Sequence, residues 1–210
     1  MQMNIMLIGI KEQGIEEAFD FLVHILGFEG IKINAIKVSY DDEAVLPTEI
    51  IFIRLGEGIF SPKINLGEAD VVFVFDPAYL AMAKKFVKPE VGFVIVGNVT
   101  HCNDARNFKF VENVNELRAI TNNIFIYDEV RVLEEYGRGL PNESEKLLIA
   151  VSVLGTFFKL GIVPIRKDSY ITGIKAILRD EKLISLARKI MSEADKYIES
   201  VDKYEALKRI

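Results

Sequence analysis

The apolar positions of this chain change their period several times, and each change marks an element. Residues 4–10 are an unbroken apolar run after Asn4, which reads as a buried first strand. Ile15, Ala18, Phe19, Leu22, Ile25 and Leu26 then recur at three- and four-residue spacing, the pattern of an amphipathic helix over 15–26, with Gly27 and Gly30 as its stop. Residues 31–38 read as a second strand, so strand, tight loop, helix and strand make a βαβ unit whose crossover is expected to be right-handed. A polar loop follows over 39–48. Residues 49–55 predict the next strand, expected to form a hairpin across Gly56-Glu57-Gly58 with Ile59-Phe60, until Ser61-Pro62 ends the ladder. Residues 71–75, Val-Val-Phe-Val-Phe, carry no polar alternation and predict a strand covered on both faces.

Beyond this, the pattern predicts a helix over 78–86 ended by Pro89, a strand over 91–96, a short strand over 108–111 and a helix over 112–120. Ile124-Phe125-Ile126-Tyr127 reads as an edge or final strand. After Gly137-Arg138-Gly139-Leu140-Pro141 the pattern turns wholly helical, over 142–160, 171–178 and 181–204, and no strand-like run is expected after Ile165. The C-terminal spacing of Ala194, Ile198, Val201, Tyr204 and Leu207 reads as one helix docking on its own domain, with an intermolecular coil or a partner surface as the alternatives. The fold class expected is α/β, a Rossmann-like, mostly parallel sheet with helices on both faces, one β-hairpin insertion and C-terminal helices. An α/β domain over 1–140 and a helical extension over 141–210 packed on it complete the expected organisation.

Composition narrows the function classes. A net charge of −5 with no lysine or arginine cluster argues against a nucleic-acid partner. Cys102 is the one cysteine, so no internal disulfide and no four-cysteine iron–sulfur or zinc site can be built from this chain. The longest apolar stretch, 147–158, is too short to span a bilayer, and the N-terminus shows no charged leader. A soluble cytoplasmic protein without a membrane partner is expected.

The candidate chemistry gathers at strand ends. Gly9-Ile10-Lys11-Glu12-Gln13-Gly14 sits between the first strand and the first helix, where a dinucleotide-type fold places its phosphate loop. Gly9, Lys11, Gln13 and Gly14 are the binding candidates of that loop. A lysine ammonium could meet an anion at the helix N-terminus, whereas Glu12 opposes one. Asp76 and Asn98 follow the fourth and fifth expected strands on the crevice side, where helix capping is the competing role. His101-Cys102 are adjacent in sequence and so do not form a nucleophile–base pair, and His24 reads as a helix-surface residue. Asp41-Asp42-Glu43 reads as a solvated loop without the ligand spacing of a metal site. No catalytic residue and no metal ligand is assigned.

Residues 54–77 carry a family resemblance. R-L-G-E-G-I-F-S-P, then G-E-A-D and an apolar strand ending in D-P, resembles the gamma-type subunit of 2-oxoacid:ferredoxin oxidoreductases, and most of all the beta subunit of indolepyruvate:ferredoxin oxidoreductase. With weakening, it runs from about Asn4 to Lys189. In that family the first loop reads G-x-G-G-Q-G; Gly9, Gln13 and Gly14 match it, whereas Lys11 and Glu12 replace two glycines. A second family segment, H-G-M-A-Q-R-G-G, is replaced here by Y-D-D-E-A-V-L-P at 40–47. The resemblance implies a gamma-type domain over 1–140 in an accessory subunit. Its larger partner subunits, in a hetero-oligomer, would carry thiamine diphosphate, magnesium and iron–sulfur clusters and oxidatively decarboxylate a 2-oxoacid, with coenzyme A as acyl acceptor. This chain alone would bind no cofactor. The two altered segments motivate an alternative, a non-catalytic paralogue acting as a homo-oligomeric scaffold or small-ligand binder.

Overall fold

A computed structural model describes residues 2–40, 48–100 and 110–203. Seven strands form one sheet in the order β2-β3-β1-β4-β5-β6-β7. They are β1 (Met3–Ile10), β2 (Ile33–Tyr40), β3 (Thr48–Leu55), β4 (Val71–Val74), β5 (Glu90–Gly97), β6 (Thr121–Tyr127) and β7 (Ile198–Ser200). β1, β4, β5 and β6 run parallel, and β3 lies antiparallel to β1 in the register Met6↔Phe52 and Ile8↔Ile50. The α-helices are α1 (Ile15–Phe28), α2 (Leu80–Ala83), α3 (Phe110–Arg118), α4 (Glu129–Val132), α5 (Asn142–Lys159), α6 (Lys167–Ile177) and α7 (Glu181–Ser192). The α/β class and the mostly parallel sheet agree with the sequence reading.

Two compact units share the chain: one takes the described parts of 1–11, 34–127 and 199–210, the other 12–33 and 128–198. In the first, alternate residues of the central strands point to one face, as the pleat requires. Met6 and Ile8 of β1, Val72 and Val74 of β4, Val94 and Val96 of β5, and Ile124 and Ile126 of β6 pack there with Leu80 and Ala83 of α2 and Val114 and Leu117 of α3. The alternate set, including Leu7, Phe73, Ile95 and Tyr127, is buried as well, which is why these strands read as continuous apolar runs. In the second unit α1 buries Ile15, Ala18, Phe21, Leu22, Ile25 and Leu26. Phe21 takes the place expected of Phe19, which is only half-buried. α6 crosses α1 so closely at Gly173 that a Cβ there would lie 3.0 Å from the Ile25 Cα.

Several expectations are corrected. Ile59 and Phe60 form no strand, because both edges of β3 are already occupied, by β1 and β2. For the same reason the expected βαβ unit does not pair its strands: β3 lies between β1 and β2. Phe110 and Val111 begin α3 rather than a strand, since Val114 and Leu117 pull the segment into helical register against the sheet. The helix expected over 78–86 shrinks to α2 behind a 3-10 turn at Pro77–Tyr79. The helix expected over 181–204 stops at Ser192, and a 3-10 turn at Ala194–Tyr197 leads into β7. The Tyr197 side chain is buried and its carbonyl accepts the Asp128 amide at 2.8 Å, so the chain is turned out of the helix to close the outer edge of β6. β6 is therefore not the edge. Among the described residues, no helix is long and apolar enough to cross a membrane.

Candidate functional site

Parallel strands bring their carboxyl ends to one rim, where an open α/β sheet binds its ligands. Gly9, Asp76 and Asn98 stand at or just beyond the ends of β1, β4 and β5. The strands are held close at this rim: the Phe75 amide donates to Ile8 O at 2.8 Å and the Asn98 amide to Tyr127 O at 3.0 Å. Gly97 is what allows the approach. A Cβ on it would fall inside contact distance of the Phe75 carbonyl oxygen and 3.1 Å from the carbon. Gly97 directly precedes Asn98 and lies against Phe75, which directly precedes Asp76, so it sets the spacing of both candidates.

Asp76 is fully buried. Its Oδ1 accepts the Ala78 amide at 2.9 Å and its carbonyl accepts the Tyr79 amide at 3.0 Å, so the carboxylate caps the 3-10 turn that opens on Pro77. Asn98 is half-buried. Lys11 and Glu12 are both exposed in a 3-10 turn, Lys11–Gln13, whereas Gln13 is buried. Gly14, in the other compact unit with Gln13, caps α1 with φ +80°, and a Cβ there would meet the Lys146 carbonyl oxygen at 2.7 Å. That glycine has a backbone reason to be glycine: the left-handed conformation and the approach of α5 both demand it. His24 is exposed on α1, with Nδ1 2.9 Å from the Asp20 carbonyl, as expected of a helix-surface residue. Asp41-Asp42-Glu43, His101 and Cys102 lie outside the described residues.

Two arrangements were missed from the sequence. Glu49 faces Gly9 across the β1–β3 register and is buried, and its Oε1 accepts Lys37 Nζ from β2 at 2.9 Å. No local pattern places β2 beside β3, so the pair is not legible from the sequence. The second lies in the helical unit. Tyr136, in a π-helical turn at Leu133–Gly137, donates to Glu193 at 2.7 Å, and Tyr197 donates to Glu135 at 2.7 Å. The two hydroxyls are 3.1 Å apart. Since each phenol has one proton and each is committed to a carboxylate, that last contact adds no further donation. Arg131 stands over the Tyr197 ring and donates to Glu135, and Lys189 stands over the Tyr136 ring. Burial pushes the Tyr197 phenol far up from its ordinary pKa, while the Tyr197 hydrogen bond and then Arg131 hold the Glu135 carboxyl below its usual range. This cluster clasps the π turn to the segment that leads into β7.

No group of three or more metal-ligating side chains occurs among the described residues. Within the first unit the rim is a close-set sheet end with a capped turn at Asp76 and a half-buried amide side chain at Asn98. It offers hydrogen-bonding contacts, and among the described residues no metal-ligating group is assembled there.

Three solved structures share this α/β fold. Pyruvate oxidoreductase subunit PORC from Thermotoga maritima superposes with a TM-score of 0.62 at 19% identity, over 94% of this chain and 97% of that one. The gamma subunit of keto/oxoacid ferredoxin oxidoreductase from Geobacter sulfurreducens PCA gives 0.63 at 11% identity, over 94% and 96%. A chain of 2-oxoglutarate:ferredoxin oxidoreductase from Magnetococcus marinus gives 0.61 at 13% identity, where this chain covers only 30% of the larger polypeptide. No family model matches the sequence, and no curated protein sequence matches it. The chain thus has the gamma-subunit fold of 2-oxoacid:ferredoxin oxidoreductases, as residues 54–77 imply.

Proposed function

We propose that this chain is an accessory, gamma-type subunit of a 2-oxoacid:ferredoxin oxidoreductase. The observation that carries the reading is coextension: two chains described as oxidoreductase subunits share its fold over nearly their whole length. Thiamine diphosphate, magnesium and iron–sulfur clusters would sit on larger partner subunits. One cysteine cannot bind an iron–sulfur cluster, and the described residues assemble no carboxylate set for a metal. The protein would act in the cytoplasm, and the 2-oxoacid would be chosen elsewhere in the complex, indolepyruvate and pyruvate being the first to test. Gly9, Lys11, Gln13, Gly14, Asp76 and Asn98 are the residues of this subunit proposed to face a ligand or a partner.

A second reading is favoured by one specific observation. Lys11 and Glu12 are exposed where the family carries glycines, and Gly14 is explained by packing alone, so the loop has a structural reason to persist without a ligand. On that reading the chain is a non-catalytic paralogue, a homo-oligomeric scaffold or small-ligand binder. Affinity capture of the tagged chain from its native cells at low salt, with mass spectrometry, separates the two. Co-purification of larger thiamine-dependent subunits, whose turnover on a 2-oxoacid rises when the chain is added back, is expected from the first. A chain recovered alone and without effect on that turnover overturns it.

A further inference from the structure

Phe60 is 96% exposed, more than any other large hydrophobic side chain among the described residues, and Leu66 nearby is 66% exposed. A loop end that merely lacked contacts would leave such side chains loosely held. This loop is fixed at several points instead. The Asn34 side-chain amide donates to Ile59 O at 3.3 Å, and Arg54 donates to Ser61 O at 3.2 Å while its Nε donates to Asn4 Oδ1 at 3.0 Å. Ile64 is buried in the core beneath, and the Asn65 backbone and side-chain amides both donate to Glu68 Oε2, at 3.2 and 3.1 Å. Phe60 and Leu66 therefore flank a buried anchor and are turned outward by it. Arg54, Phe60 and Pro62 also belong to the stretch that most resembles the gamma-type subunits, yet nothing within the fold needs the Phe60 ring.

We infer that the loop over 59–66 is the docking surface for the larger subunit of the oxidoreductase, with the Phe60 ring as its anchor in an apolar pocket of that subunit. The inference rests on the function proposed above. The occupant is chosen because this fold occurs both as a separate subunit and as 30% of one longer oxidoreductase polypeptide, so it is made to pack against the remainder of such an enzyme. The chemistry fits: the backbone on either side of Phe60 is already held, so docking has only the ring's own two torsions to order, and the neighbouring exposed Ser61 and Lys63 can form a hydrogen-bonding rim.

The test compares the tagged wild-type chain with Phe60→Ser, Phe60→Leu and the control Phe28→Ser, whose ring is 50% exposed in the other compact unit. Capture of the thiamine-binding subunit, identified by mass spectrometry, should fall about tenfold or more for Phe60→Ser, partly recover for Phe60→Leu and hold for Phe28→Ser. Melting temperatures should stay alike, since no buried contact is removed. If the wild type and Phe60→Ser capture that subunit equally, the docking surface is overturned while the function stands. If the wild type captures no such subunit, both are overturned. If instead sedimentation shows self-association that Phe60→Ser abolishes, the loop joins copies of this chain and the inference is overturned in favour of the scaffold.

Discussion

Gly97→Ala is the sharpest probe of how the rim is built. Gly97 ends β5, paired with Tyr127 on one side, and the end of β4 crowds it on the other. An added Cβ would meet the Phe75 carbonyl oxygen inside contact distance, the Phe75 carbon at 3.1 Å and the Val74 oxygen at 3.5 Å. All three are backbone atoms, so no side chain can rotate out of the way and the ends of β4 and β5 must part. Overpacking of this kind costs about 1–3 kcal/mol. Loss or bending of the Asn98 N–H to Tyr127 O bond adds about 0.5–1.5 kcal/mol, which brings the total to roughly 2–4 kcal/mol. For a chain of this size that lowers the melting temperature by about 5–15 °C. The assay is urea and thermal unfolding followed by far-ultraviolet circular dichroism. Gly27→Ala serves as the counter-case: nothing lies within 4 Å of its would-be Cβ, and it sits inside α1. It should stabilise by up to about 0.5–1 kcal/mol. A loss below about 0.5 kcal/mol for Gly97→Ala would refute the close approach and, with it, the spacing argued for Asp76 and Asn98.

Gly14→Ala should cost about 2–4 kcal/mol, since left-handed strain of about 1 kcal/mol adds to the contact with the Lys146 carbonyl, measured by the urea midpoint. Lys37→Met leaves the buried Glu49 carboxylate without its ion pair; because the lysine side chain is itself 38% exposed and screened, about 1–2 kcal/mol is expected from the same unfolding curve. Glu135 has its carboxyl held below the ordinary value of 4.5 by the Tyr197 hydroxyl first and Arg131 second, so its stabilisation is present above that value and is lost as pH falls through the lower folded value. Tyr197→Phe should therefore lower stability by about 1–2 kcal/mol at pH 7 and flatten the decline below pH 4.5, read as urea midpoints across that range.

The central strands were legible because burial on both faces leaves an unmistakable run: residues 71–75 and 91–96 lie where β4 and β5 form, within a residue at either end. α5 was legible for a related reason, since its apolar residues persist for several turns. What escaped was whatever depends on which strands are neighbours. The insertion of β3 between β1 and β2 determines that Ile59-Phe60 have no ladder to join, and no local pattern encodes that order. The turn at Ala194–Tyr197 escaped for the opposite reason. Ala194, Ile198 and Val201 keep helical spacing, but the open edge of β6 and the clasp on Tyr197 outweigh local propensity. At the rim, position alone marks the candidates, and Asp76 reads as a cap or a site residue; the structure supplies the cap bond, while Gly97, the residue that spaces the rim, stands between a strand and Asn98.

The first loop shows how a retained glycine can mislead about chemistry. In a phosphate loop the middle glycines let the backbone approach an anion and the last packs helix against strand. Here the two replaced positions, Lys11 and Glu12, are exposed, whereas the retained Gly14 meets a carbonyl of its own chain with φ +80°. The glycine that packing requires has stayed, and side chains stand where anion binding would want glycine. A loop without phosphate contacts and a fold that persists would then be compatible, because they depend on different residues. An accessory subunit with such a loop would contribute to its complex through surfaces, and the anchored Phe60 is the surface feature that the fold itself leaves unexplained.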